Sequence, residues 1–155
     1  MSLKRPSVAL QAEPESGESR RARGLLHRGF MGAGGVLLIA ASVTDYVYYT
    51  TALWQWANFS AWLISGGLLV TLAAAIFLLI DFVTGRANRL NTASFILVAA
   101  AALLSLVNAF VHSRDAWTSV VPQGFLLSAI CSLLLLIAGA RGWDLAISRH
   151  RGDRP

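Results

Sequence analysis

Eight acidic and 13 basic side chains are spread over 155 residues, and few of them fall inside the long apolar runs. Those few are the groups whose chemistry needs explaining. Asp45 and Asp81 each interrupt or end an apolar stretch. An ionised carboxylate beside hydrocarbon is costly, so it is expected to face a bundle interior, a water-filled space or a cationic partner. Both lie near the C-terminal end of a predicted helix, where the helix dipole already places partial negative charge. Each therefore needs a cation, a hydrogen-bond donor or a proton. The two are predicted at opposite depths, so a catalytic carboxylate pair within ~10 Å of each other, as in a glycosidase, is not expected.

Depth matching pairs Asp81 with Arg141, near the inner end of the fourth apolar run, with Arg89 as the alternative. For Asp45 the candidates are Asn108, near the outer end of the third run, and His112 or Arg114 just beyond it. Asp144 is the remaining charge at a span end. Asp45 has a functional reading, a proton or cation site, and a structural one, a clamp or interface residue; the structural one is preferred. His27 and His150 flank the inner ends of the first and fourth spans and His112 lies outside, so no pair has the i, i+3 or i, i+4 spacing of a helix-borne metal site. His27 and His150 remain only as a weak pair of haem ligands at the inner surface. With one cysteine, Cys131, neither a disulfide framework nor a thiolate cluster is available. No metal and no cofactor are expected, and no Ser-His-Asp set, nucleophile elbow or phosphate loop is legible.

The elements that must position these groups follow from composition. The chain is 55% hydrophobic and 14% charged, far below the charged quarter of a soluble domain. Tyr46 to Ile80 runs without a charge and is too long for one span of ~20 residues. A turn is expected over Tyr49 to Asn58. Spans are expected over about 29–48, 59–82, 90–111 and 122–147 within a membrane domain 29–151, with a polar, disordered tail at 1–28 and a short end at 152–155. Short loops make consecutive spans antiparallel, hence an all-α, up-down four-helix bundle. Small residues four apart are expected to pack it: Gly29 and Ala33; Gly67, Thr71 and Ala75; Ala101, Ser105 and Ala109; Gly124, Ser128 and Ser132.

Charge placement sets the orientation. Of the 13 basic residues only Arg114 falls on the predicted outer side, so both termini are expected in the cytoplasm and the net charge of +5 marks topology, not nucleic-acid binding. Tyr46, Tyr48, Tyr49, Trp54, Trp56, Trp62 and Trp117 mark the outer interface, and Trp143 the inner one. Ser19-Arg20-Arg21-Ala22-Arg23 has the outline of a twin-arginine export signal, but no cleavage site or soluble domain follows it.

Thr44-Asp45-Tyr46 closing the first span, Leu79-Ile80-Asp81-Phe82 closing the second, and Gly142-Trp143-Asp144-Leu145 with Arg149-His150-Arg151 at the end resemble the bacterial membrane family called domain of unknown function 2231, over about Gly29 to Arg151. The resemblance implies a small four-helix membrane protein of undetermined activity. Several members look able to hold haem through histidines at the starts of the first and third spans. Here Arg28-Gly29 replaces the first histidine-proline pair, with His27 close by, and Asn91 stands at the other position. The resulting expectation is a multi-pass inner-membrane protein without enzymatic activity, structural or accessory in role, in contact with the lipid bilayer and with a second copy or another membrane protein. A haem-binding redox component or a proton/cation-transport component is the alternative.

Overall fold

The computed structural model describes residues 15–85, 87–114 and 120–148, with side chains from 27 onward except those of 88, 147 and 148. Four helices dominate: α1 (Glu15–Thr51), α2 (Trp54–Val83), α3 (Thr92–His112) and α4 (Gln123–Ala140), with short strands β1 (Ala87–Leu90) and β2 (Ala146–Ser148). Four apolar segments are long enough to cross a membrane: His27–Thr51, Trp54–Val83, Thr92–His112 and Gln123–Ala140. The chain is an all-α bundle of the membrane-spanning kind, with α1 packed on α2 and α4, α3 on α4, and α2 and α3 more loosely joined.

Three boundaries differ from the sequence expectation. α1 extends back to Glu15, into the stretch assigned to the tail, while the tail's residues 1–14 lie outside the described residues. The turn assigned to Tyr49–Asn58 is only Ala52 and Leu53. Its polar residues do not need a loop, because Thr50 and Thr51 return their hydroxyls to the carbonyls of Tyr46 and Val47. Ala52 then turns the chain at φ 54°, a left-handed conformation that costs an L-residue about 1–2 kcal/mol. The fourth helix ends at Ala140 rather than Ile147. Gly142 at φ 88° and Trp143 at φ 57° reverse the chain there, and β2 runs antiparallel to β1 with Leu90 opposite Ala146.

The interior has two apolar layers. Leu38, Ala41, Ile64, Ala101 and Leu135 fill the middle, and Met31, Ala74, Leu78, Val98, Ala138 and Leu145 fill the end nearer the chain termini. Exposed Val36, Leu69, Leu103 and Leu133 point outward, which is the expected surface of a bundle whose solvent is lipid. The small-residue stripes of α3 and α4 are inside, with Ala101, Ser105, Gly124, Ser128 and Ser132 buried. On α1 the register differs. Gly29 has open space around it and Ala33 is exposed, whereas a Cβ on Gly34 would lie 3.1 Å from the Gly67 carbonyl and one on Gly67 would lie 2.8 Å from the Leu38 side chain. Gly34 and Gly67 are thus the point where the α1 and α2 backbones meet.

Candidate functional site

The polar groups of the bundle collect at the end that carries the α1–α2 turn. Asp45 lies two turns before the end of α1, Asn108 and His112 lie four apart in the last turns of α3, and Ser128 lies in the second turn of α4. The helical period puts Asn108 and His112 on one face, and the bundle brings that face to Asp45. Asp45 is fully buried and the His112 side chain is 2% exposed, with His112 Nε2 2.9 Å from Asp45 Oδ1. Ser128 Oγ donates to Asp45 Oδ2. Asn108 Nδ2 donates to Ser128 Oγ at 2.7 Å. Of the three sequence candidates for Asp45, His112 is the direct partner, Asn108 acts through Ser128, and Arg114 turns instead to Gln123 Oε1 at 2.9 Å.

The protonation of this cluster follows from its geometry. His112 Nδ1 lies 3.0 Å from the main-chain oxygen of Asn108. A carbonyl can only accept, so Nδ1 carries a hydrogen. One further proton then serves the contact between Nε2 and Asp45 Oδ1. The pair is either imidazolium with carboxylate or neutral ring with carboxylic acid, and in both forms its net charge is zero. That is how a carboxylate placed at the wrong end of a helix dipole is tolerated away from water.

Aspartate, histidine and serine are together here, but not in the order that activates a serine. Nucleophilic catalysis requires the ring between the hydroxyl and the carboxylate. In this cluster Ser128 and His112 bond different oxygens of the same carboxylate, so the ring takes no proton from the hydroxyl. A second tier lies one turn deeper: Ser132 Oγ to Ser42 Oγ at 2.9 Å, and Ser105 Oγ to Cys131 Sγ at 3.4 Å. Ser60 Oγ, at 3.3 Å from the Ala41 carbonyl, adds a polar tie from α2 to α1. Ser128 was legible only as a packing residue, since nothing in sequence distinguishes a serine that fills space from one that holds a carboxylate.

The other sequence candidates are at the opposite end and are not brought together as expected. Asp81 is half-buried near the end of α2, Arg141 is exposed where α4 ends, and no ion pair joins the two among the described residues. α4 stops at Ala140, so Arg141 sits in the turn and not within a span continuing to 147. Asp144 instead pairs with Arg28, Nε to Oδ1 at 3.1 Å with both side chains about half exposed, and Arg28 Nη2 also donates to the Gly142 carbonyl at 3.0 Å. Trp143 is half-buried just past the end of α4. Its indole lies between α1 and α4, and a Cβ on Gly35 or Gly139 would come within 3.0 Å of the ring. His27 is buried, with Nδ1 3.0 Å from the Ala74 carbonyl. His150 lies outside the described residues, so the paired haem site is not assembled by what is described. No group of three or more His, Cys, Asp or Glu that could hold a metal occurs among the described residues.

A family model described as predicted membrane protein (DUF2231) matches residues 35–154, from the middle of α1 to the last residues of the chain. The chain belongs to this family. Within this DUF2231 chain the matched region contains Asp45, Asn108, His112 and Ser128, so the whole polar cluster falls in the family domain. No curated protein and no solved structure matches the chain.

Proposed function

We propose that this DUF2231 protein is a non-enzymatic structural or accessory component of a bacterial inner membrane, with both termini in the cytoplasm, and that the Asp45 cluster is the clamp that fixes its helices. The observation that carries the reading is that both carboxylate oxygens of Asp45 are engaged by α3 and α4. A buried polar network specifies a single packing; here Asn108 Oδ1 lacks a partner among the described residues, while both Asp45 oxygens are taken and are not free to meet a substrate. Two apolar layers separate the cluster from the opposite end, which favours a clamp over a proton or cation route. The orientation rests on the excess of Lys and Arg on the side of the termini. A second copy or another membrane protein is the partner that the lipid-facing surface would meet, and no nucleic acid is involved.

The test is Asp45→Asn in purified and liposome-reconstituted protein. The clamp reading expects a lower melting temperature and no change in proton or cation flux. A wild-type flux that the variant abolishes while melting unchanged would overturn it in favour of transport.

A further inference from the structure

The end of the bundle near the termini has polar valence that its own side chains do not use. His27 Nδ1 faces the Ala74 carbonyl at 3.0 Å, so that nitrogen carries the hydrogen. Nε2 is buried and has no partner among the described residues. With no acceptor for Nε2 among the described residues, that nitrogen presents a lone pair to the interior. An imidazole whose N–H is anchored on a main-chain carbonyl has the outer-shell arrangement of metal-ligating histidines, which fixes the ring and raises the basicity of the other nitrogen.

Met31 follows one turn later on the same face of α1 and is 2% exposed. It packs in the apolar layer that includes Ala74, the residue that anchors the His27 ring. His27 and Met31 are thus i and i+4 neighbours on the α1 face that meets α2. Ser94, on α3 one turn before Val98 of that layer, has a fully buried hydroxyl that also lacks a partner among the described residues. The described charges at this end are the half-exposed Arg28–Asp144 pair at the rim, the exposed Arg89 and Arg141, and Asp81, two turns further along α2.

We propose that His27 Nε2 and the Met31 thioether form a binding site for a soft monovalent metal ion, Cu(I), within the α1–α2 contact. Two neutral soft donors select Cu(I), whereas harder divalent ions prefer sites with carboxylates or several imidazoles. A single positive charge is also less costly to hold in this apolar layer than a double one. The site is separate from the Asp45 cluster and does not depend on the clamp reading.

The experiment is an anaerobic competition between the full-length protein in detergent and a coloured Cu(I) chelator under reductant. Wild type is expected to withdraw one equivalent of Cu(I). Met31→Leu, a swap of similar volume that leaves the melting temperature nearly unchanged, is expected to bind about tenfold more weakly or worse, and His27→Ala to lose the site. Cys131→Ser controls for the single thiol and is expected to bind as wild type does. Failure of wild type to compete, full binding by Met31→Leu, or loss of binding in Cys131→Ser would each overturn the proposal. So would a Soret band in the purified protein that His27→Ala removes and Met31→Leu leaves, because it would assign the ring to haem.

Discussion

The two ends of this bundle solve the same problem in opposite ways. At the α1–α2 turn end, α1, α3 and α4 are joined by a carboxylate, an imidazole, an amide and a hydroxyl that mostly consume one another's hydrogen-bonding capacity. At the terminal end side-chain bonds go to main-chain carbonyls, His27 to Ala74 and Arg28 to Gly142, and α1 meets α4 largely by shape. Trp143 fills a notch between α1 and α4 that exists because Gly35 and Gly139 carry no side chain, and the ionic contact there is a half-exposed pair. In lipid, apolar burial between helices supplies little net drive, so directional bonds and close backbone approach are the available means of fixing helices. The chain uses the first at the end with the tight α1–α2 turn and the second where β1 and β2 pair.

The largest effect should come from breaking the bonded end. Asp45→Ala leaves the His112 ring and the Ser128 hydroxyl buried without their acceptor, at a cost of about 3–5 kcal/mol. Thermal melting in detergent should show this as loss of a cooperative transition, and a shift no larger than that of Asp45→Asn would mean that the cluster does not hold the helices. Next comes the shape-fitted end. Gly35→Val forces Trp143 out of its notch and should cost about 1–3 kcal/mol. Combined with Trp143→Ala it should cost less than the two single changes added, because the clash is then gone. Strict additivity would show that the notch is not where the ring binds. Smallest is Arg28→Gln. With both members of the pair near half exposure, solvent screening holds the loss to about 1 kcal/mol or less, and raising the salt concentration should abolish even that. A loss as large as that of Asp45→Ala would reverse the comparison between the two ends.

How much of this could be read from residues alone differs by level. The four apolar segments were legible because hydrocarbon imposes a length and a composition on any span. Asp45 was legible as a residue in need of a partner, and His112 and Asn108 as partners at its depth, since depth follows from span order. That Asp81 and Arg141 are not paired among the described residues has a local reason. Gly142 takes a φ of 88°, and α4 ends before it, so the arginine expected within a span running to 147 is an exposed turn residue. Ser128 and Trp143 were missed in their roles because a stripe of small residues and an aromatic at a predicted interface read the same whether they pack, bond or insert. On α1 the small-residue stripe was displaced, because five small residues between Gly29 and Gly35 offer several faces and only the partner helix selects one.

By itself the sequence determined that this is a membrane-spanning bundle of four helices, where its few charges lie along the chain, and that Asp45 cannot stand alone. These are one-dimensional consequences of solvation, since the cost of charge in lipid and the length of a span need no fold to state. Only the tertiary structure decided which hydroxyl meets which carboxylate oxygen, which glycine admits the Trp143 ring, and that His27 Nε2 is buried with no partner among the described residues. Each of those depends on the rotation of one helix about its axis relative to its neighbour, a quantity that packing sets and that apolar residues on every face of a lipid-exposed helix leave unwritten.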